Sequence, residues 1–289
     1  MSTNAIDPSL AHQRREQALM TLLAVPAVLV IVALVVIPVG WLAAQSIYDN
    51  GFTLEHYRRI FTEEVYWRSF ALTFRIALMV TLLTLLLGYP VAYAAAHARR
   101  PWNVLILACV MLPFWTSVLV RAYAWLVLLQ RTGVANQLLE RFGLITEPLA
   151  MVHNELGTVI ATVHILLPFM VLPLYSTMQK IPRELMLAGA SLGGGPLYSF
   201  LRIFLPLSLP GVVAGLTLVF VLTLGFYITP ELLGGGRTVM ISMVVSRNVE
   251  LYAQWGAASA VGVVLLACVL AIFAAVGRII PLDKMLGQK

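Results

Sequence analysis

The chain has 289 residues, of which 60% are hydrophobic and 11% charged, with a mean hydropathy of +0.90 and a formal net charge of +6. Soluble domains carry about 25% charged residues, so the composition excludes a water-soluble globular protein and leaves lipid as the solvent for most side chains. The basic excess comes with no nucleic-acid motif and sits beside apolar runs, where it sets orientation and meets anionic lipid; nucleic acid is excluded as a partner.

Residues 1–16 form a polar tail with Arg14 and Arg15. The first apolar run, 17–48, is longer than the core of a secretory signal, about 7–15 residues, and reads as a retained anchor. Five more runs follow at 76–96, 101–120 (continuing past Arg121), 157–179, 207–230 and 251–277. Crossing a hydrocarbon layer of roughly 30 Å takes about 20 residues. Lipid offers no partner for backbone N–H and C=O groups, and none of the runs alternates like a barrel strand, so each is expected to be a helix. The expected fold is all-α and polytopic, one membrane domain over 1–289 with about six transmembrane helices.

With the N-terminus in the cytoplasm, six crossings return the C-terminus there. The basic residues then favour the inside, led by the pairs Arg14-Arg15 and Arg99-Arg100, as the positive-inside rule requires. The segments 49–67, 131–155 and 231–250 become short outward loops. In the middle one, Val134, Leu138, Leu139 and Phe142 follow helical spacing and predict a small interfacial helix. Cys109 and Cys268 fall inside spans and read as small buried hydrophobes, with no structural disulfide expected.

Between the fourth and fifth spans, 180–206 is polar and punctuated by glycine. Pro182 suits a first helical position and Glu184 the first turn, where a carboxylate favours the positive end of the helix dipole. Leu185, Ala188 and Leu192 share a face, and Gly193-Gly194-Gly195-Pro196 stops the helix. A second short helix at 197–204 leads to Pro206. The product is a helix–turn–helix elbow on the cytoplasmic face.

At these residues the chain resembles the permease subunits of binding-protein-dependent ABC importers. Their cytoplasmic signature is Glu-Ala-Ala, three residues, Gly, nine residues, Ile, one residue, Leu-Pro. Here Gly193 is followed after nine residues by Ile203, Phe204 and Leu205-Pro206, while the triplet falls on Leu187-Ala188-Gly189. Leu187 thus replaces the motif Glu, and Glu184, one turn earlier, is the carboxylate at hand. The resemblance implies that Glu184, Ala188, Gly189, Gly193, Ile203 and Pro206 couple this chain to an ATP-binding cassette subunit. No Walker-type Gly-x-x-x-x-Gly-Lys-Ser/Thr is present, so ATP hydrolysis is expected on that separate subunit and this chain is not expected to be an enzyme. The resemblance also implies a second permease subunit forming a heterodimer, an extracytoplasmic solute-binding protein, and residence in the inner membrane.

Gly189-Ala190-Ser191-Leu192-Gly193 matches the Gly-x-Ser-x-Gly nucleophile pattern, but that pattern means catalysis only on a strand-to-helix turn with His and acid partners. Ser191 sits in a helical pattern, and no metal-ligand spacing occurs, so no catalytic residue, metal or cofactor is expected.

Two further segments, 112–125 and 225–236, resemble the third-span and fifth-span-end segments of polyamine- and opine-type permeases. Pro113 and Pro230 would break helices there, and Trp115, Thr116, Arg121, Tyr123, Tyr227, Thr229 and Glu231 are the candidate path of a small cationic or amphipathic solute. The aromatic residues either stack on such a cation or form an interfacial belt. Arg121 falls about 20 residues into its span, roughly 30 Å along a helix, and either snorkels to the outer surface or lines a gate. Some polyamine permeases carry an acid directly after the Gly matching Gly225; this chain has Phe226, which leaves opines and other amino-acid-derived amines open beside polyamines. The alternative class, an ion-coupled secondary transporter, usually shows intramembrane acids and repeated halves, which this sequence lacks.

Overall fold

The computed structural model describes residues 8–48 and 51–279. Its helices, in chain order, are α1 (Pro8–Ile47), α2 (Glu55–Thr62), α3 (Glu64–His97), α4 (Trp102–Met111), α5 (Val118–Leu129), α6 (Val134–Arg141), α7 (Glu155–Met178), α8 (Arg183–Ser191), α9 (Pro196–Ser199), α10 (Leu205–Leu224), α11 (Ile228–Leu233), α12 (Ile241–Glu250) and α13 (Trp255–Ile279). Among the described residues, six helical stretches are long and apolar enough to cross a membrane. The architecture is all-α and polytopic, with a short helix between the fourth and fifth spans.

The core is formed by α3, α7 and α10, with Ile76, Val80, Met170, Val171, Leu174 and Val219 buried between them. Small residues set the spacing. A Cβ on Gly215 would lie 2.6 Å from Met170 Sδ, and one on Gly211 would lie 2.9 Å from the Pro173 carbonyl. Contact this close between helices is how membrane helices gain dispersion energy where lipid supplies no hydrophobic drive. Three buried hydroxyls are satisfied within their own helices: Thr84 donates to Val80 O at 2.8 Å, Thr162 to Thr158 O at 2.7 Å and Thr223 to Val219 O at 2.7 Å. By contrast α1 packs on α13 and shows its apolar surface on nearly every side, as a helix solvated by lipid does.

Several boundaries differ from the sequence expectation. Helix α1 starts at Pro8, so half of the expected tail is helical; residues 1–7 and 280–289 lie outside the described residues. Helix α3 begins at Glu64, twelve residues before the expected start at Ile76; the added turns carry charged residues, among them the i, i+4 pair Glu64–Arg68, that the apolar run leaves out. Arg75 therefore lies within α3, where it pairs with Glu155 at the start of α7. Cys109 is exposed and Cys268 half-exposed on the apolar surface, rather than buried.

The third crossing is broken. Helix α4 ends in a 3-10 turn, Leu112–Trp115, and α5 restarts at Val118 after two extended residues. Thr116 closes the gap by sending both its N–H (3.1 Å) and its hydroxyl (2.7 Å) to the Pro113 carbonyl. The first piece packs on α3 and α7, the second on α7 and α11.

The segment 231–250 is not an open loop. Its helices α11 and α12 pack into the bundle, burying Leu233, Met240, Ile241, Met243 and Val244. The Ile241 N–H at the start of α12 donates to Thr73 Oγ of α3 at 2.8 Å, which satisfies one of the donors every helix start leaves open. The small helix expected in 131–155 is α6. Buried Asn136 ties it down, donating to the Gln130 and Leu149 carbonyls at 3.0 Å each and accepting from the Leu149 N–H at 2.9 Å.

Candidate functional site

Two groups of residues were singled out by sequence, and the structure treats them differently. The elbow is built as a unit. Pro182 is the residue before α8 rather than its first helical residue, with φ −64° and ψ 132°; Glu184 lies in the first turn and is exposed. At the other end Gly193 takes φ +83°, a left-handed conformation that favours glycine. The Gly194 N–H then reaches Gly189 O and the Gly193 N–H reaches Ala190 O, both at 3.0 Å. This paired pattern closes the carbonyls left open at a helix end.

The turn folds α8 back onto α9 and onto a π-helical stretch, Phe200–Phe204, that runs directly into α10. At Gly189 the two arms touch: a Cβ there would lie 2.7 Å from Ile203 Cδ1 and 3.1 Å from Ser199 Oγ. Ala188 is exposed, and Pro206 opens α10 in its first turn. Five of the six coupling candidates thus belong to one folded corner, with Glu184 on its outer surface. Ser191 donates its hydroxyl to Leu187 O of its own helix at 3.0 Å, the behaviour of a helical serine and not of a nucleophile at a strand turn.

Sequence reasoning missed what anchors this corner. Tyr93 and His97 on α3 meet Phe204 edge-on or tilted, with ring centroids 5.0 and 5.3 Å apart, and Phe200 stacks on Phe204 at 5.9 Å. Aromatic pairs of this kind contribute about 0.5–1.5 kcal/mol each beyond area burial. Arg183 of α8 adds a hydrogen bond to His97 O at 3.3 Å. The available signal was the i, i+4 spacing of Tyr89, Tyr93 and His97 against that of Phe200 and Phe204. The elbow therefore packs on the end of α3 as well as leading into α10.

The path candidates are less concentrated. Trp115, at the break in the third crossing, is 85% exposed, and Thr116 and Tyr123 are also exposed. Arg121 lies in the first turn of α5 with eight residues of that helix beyond it. Its Nε and Nη1 are buried with no hydrogen-bond partner. One turn on, Trp125 donates its indole N–H to His164 Nδ1 of α7 at 3.1 Å. Thr229, in α11 against α5, is fully buried and its hydroxyl has no partner. Tyr227, two residues before it, is half-buried, and Glu231 is exposed. The fold thus brings the two resembling segments together as α5 and α11, with buried polar atoms on Arg121 and Thr229, Trp125 and Tyr227 packed against the core, and Trp115 and Tyr123 exposed. Among the described residues no cluster of His, Cys, Asp or Glu is arranged to hold a metal.

Comparison with known proteins places this geometry. The spermidine/putrescine transport system permease protein PotB of Haemophilus influenzae is 32% identical over 235 residues, covering 80% of this chain and 81% of that protein. Its counterpart in Escherichia coli is 34% identical over 212 residues, covering 73% and 77%. A bacterial alginate ABC transporter, solved in complex with an alginate pentasaccharide-bound periplasmic protein, shares the fold with a TM-score of 0.70 at 16% identity, over 96% of this chain and 98% of that one. Permeases of this kind carry no catalytic site, and their ATP is hydrolysed on a separate subunit. Residues 85–281 match the family described as binding-protein-dependent transport system inner membrane component, and the chain belongs to that family of multi-pass ABC-importer permeases.

Proposed function

We propose that this chain passes a small cationic or amphipathic amine, delivered by an extracytoplasmic binding protein, and that the drive enters through α8. The likeness to two spermidine/putrescine permeases supports the solute class. The observation that carries the coupling reading is the elbow itself. It is an exposed helix with Leu187 67% and Leu192 89% accessible, joined to α10 through the Gly189–Ile203 contact and to α3 through the aromatic cluster. A rigid corner with an apolar outer face suits a lever pushed by a partner. Residues 1–289 then act as one permease domain with both ends and 180–206 in the cytoplasm. It pairs with a different permease subunit and an ATP-binding cassette subunit. Arg121, Tyr227 and Thr229 line the inward side of the solute path, and Trp115, Thr116, Tyr123 and Glu231 its approach.

Nucleotide binding by the partner would move the elbow and switch the helices between inward- and outward-facing arrangements, a rigid-body change between packed states. The test is uptake of radiolabelled putrescine and spermidine by proteoliposomes holding the permease pair, its ATPase and its binding protein. Accumulation is expected only with ATP and all four components. Accumulation by this chain alone under an ion gradient, or uptake that neither amine competes for, overturns the reading.

A further inference from the structure

We propose that the partner surface receiving α8 is a groove with an apolar floor and a carboxylate on each rim, belonging to the ATP-hydrolysing subunit. This rests on the coupling reading above and specifies its chemistry. Two hollows flank the helix. The first, about 340 Å³, is walled by Tyr93, Met186, Leu187 and Phe204, with Arg183 among its lining. The second, about 670 Å³, is walled by Gly189, Leu192, Tyr198 and Ile203, with Arg202 among its lining. Each hollow thus combines an exposed leucine with one guanidinium.

Charge on the segment is lopsided. Residues 180–206 hold Lys180, Arg183 and Arg202 against the single carboxylate of Glu184. Among the described residues neither Arg183 nor Arg202 has an acidic partner; Arg183 spends one N–H on the His97 carbonyl. At Leu187, where the resembling family carries Glu, the helix presents a hydrocarbon surface. A partner matched to a motif carboxylate would place a cation there and meet only leucine, with Arg183 in the same hollow to repel it. The complementary surface has apolar side chains protruding towards the hollows and acids beside them. Anionic lipid would also neutralise the arginines, but it presents a plane of charge, whereas these two line separate concave sites against α8. A shaped protein surface fits that arrangement.

The experiment measures retention of the ATPase subunit on the immobilised, nanodisc-embedded permease complex as salt is raised. Two rim ion pairs, each modest at a surface, predict that retention of wild type falls about three- to tenfold as the salt screens them. Arg183→Gln with Arg202→Gln should start lower and lose most of that salt dependence, charge reversal to Glu should fall further, and Lys at both positions should restore it. Monodisperse elution of each variant checks folding. Salt-independent retention that charge reversal leaves unchanged, while Leu192→Asp releases the ATPase, overturns the acidic rims and leaves the coupling reading standing. Wild-type retention in Leu192→Asp overturns the coupling reading itself. If the salt dependence vanishes when anionic lipid in the nanodiscs is replaced by phosphatidylcholine, the arginines meet lipid and the proposal fails.

Discussion

Gly189 and Ile203 occupy the two arms of the elbow and touch, the isoleucine Cδ1 filling the space a side chain on Gly189 would need. The obstructing atom is the far end of a flexible side chain, so the room is elastic for one methyl and not for four carbons. Gly189→Ala, the residue the resembling family carries here, should keep uptake within about twofold. Gly189→Leu overpacks the corner, at about 1–3 kcal/mol, and should cut uptake about tenfold or more with the protein still in the membrane. Adding Ile203→Ala to Gly189→Leu should recover part of the loss. ATP-driven uptake in proteoliposomes, normalised to surface-labelled permease, reads all three, and lack of recovery in the double variant refutes the contact.

The turn after α8 makes a different demand. Gly193 has open space around it, so only its φ of +83° restricts substitution. Left-handed backbone costs an ordinary residue about 1–2 kcal/mol, less for Asn, which visits that region more readily. ATPase stimulation by the loaded binding protein should fall in the order Gly, Asn, Ala, Val at this position. An equal fall for Asn and Val would mean that a steric contact, and not the backbone, selects glycine.

Much of this was legible in the sequence and some was not, for reasons that are physical. Hydropathy found the apolar runs because lipid contact needs them, and the Gly193-to-Ile203 spacing located the elbow because both ends of that spacing serve one corner. Pro113 marked the break in the third crossing, but how the gap closes, with Thr116 donating to the Pro113 carbonyl, escaped because nothing in an equally apolar run signals it. The inward packing of 231–250 escaped too. Met240, Ile241 and Met243 are buried by contacts with α3 and α13 that lie far away in the chain, and their flanking Arg237 and Arg247 make the segment read as a polar loop.

One of those distant contacts can be tested directly. Thr73 Oγ accepts the Ile241 N–H while donating to Ser69 O at 2.6 Å, and both groups are buried. Thr73→Val keeps the shape and strands the amide, which costs about 1–3 kcal/mol. Thr73→Ser keeps the acceptor. The apparent Tm of the detergent-solubilised protein should drop by several degrees for Val and by much less for Ser. Equal drops would show that the methyl packing, and not the hydrogen bond, holds α12 to α3.

Arg121 separates stability from function most sharply. A guanidinium with Nε and Nη1 buried and unpartnered lowers the stability of a membrane helix. Such a group persists when something absent from the isolated chain, a solute or another subunit, completes it. Arg121→Met retains length and apolar stem while removing the charge. It should raise the apparent Tm of the solubilised chain, since about 1–3 kcal/mol of unmet hydrogen bonding disappears. The same change should lower ATP-driven uptake at least about tenfold in the assembled complex, a loss of about 1.4 kcal/mol in the transport step. Arg121→Lys, a point charge without the planar fork, should fall between the two in uptake. A fall in both Tm and uptake for Arg121→Met would instead make the arginine a packing element of α5, and Arg121 would leave the solute path.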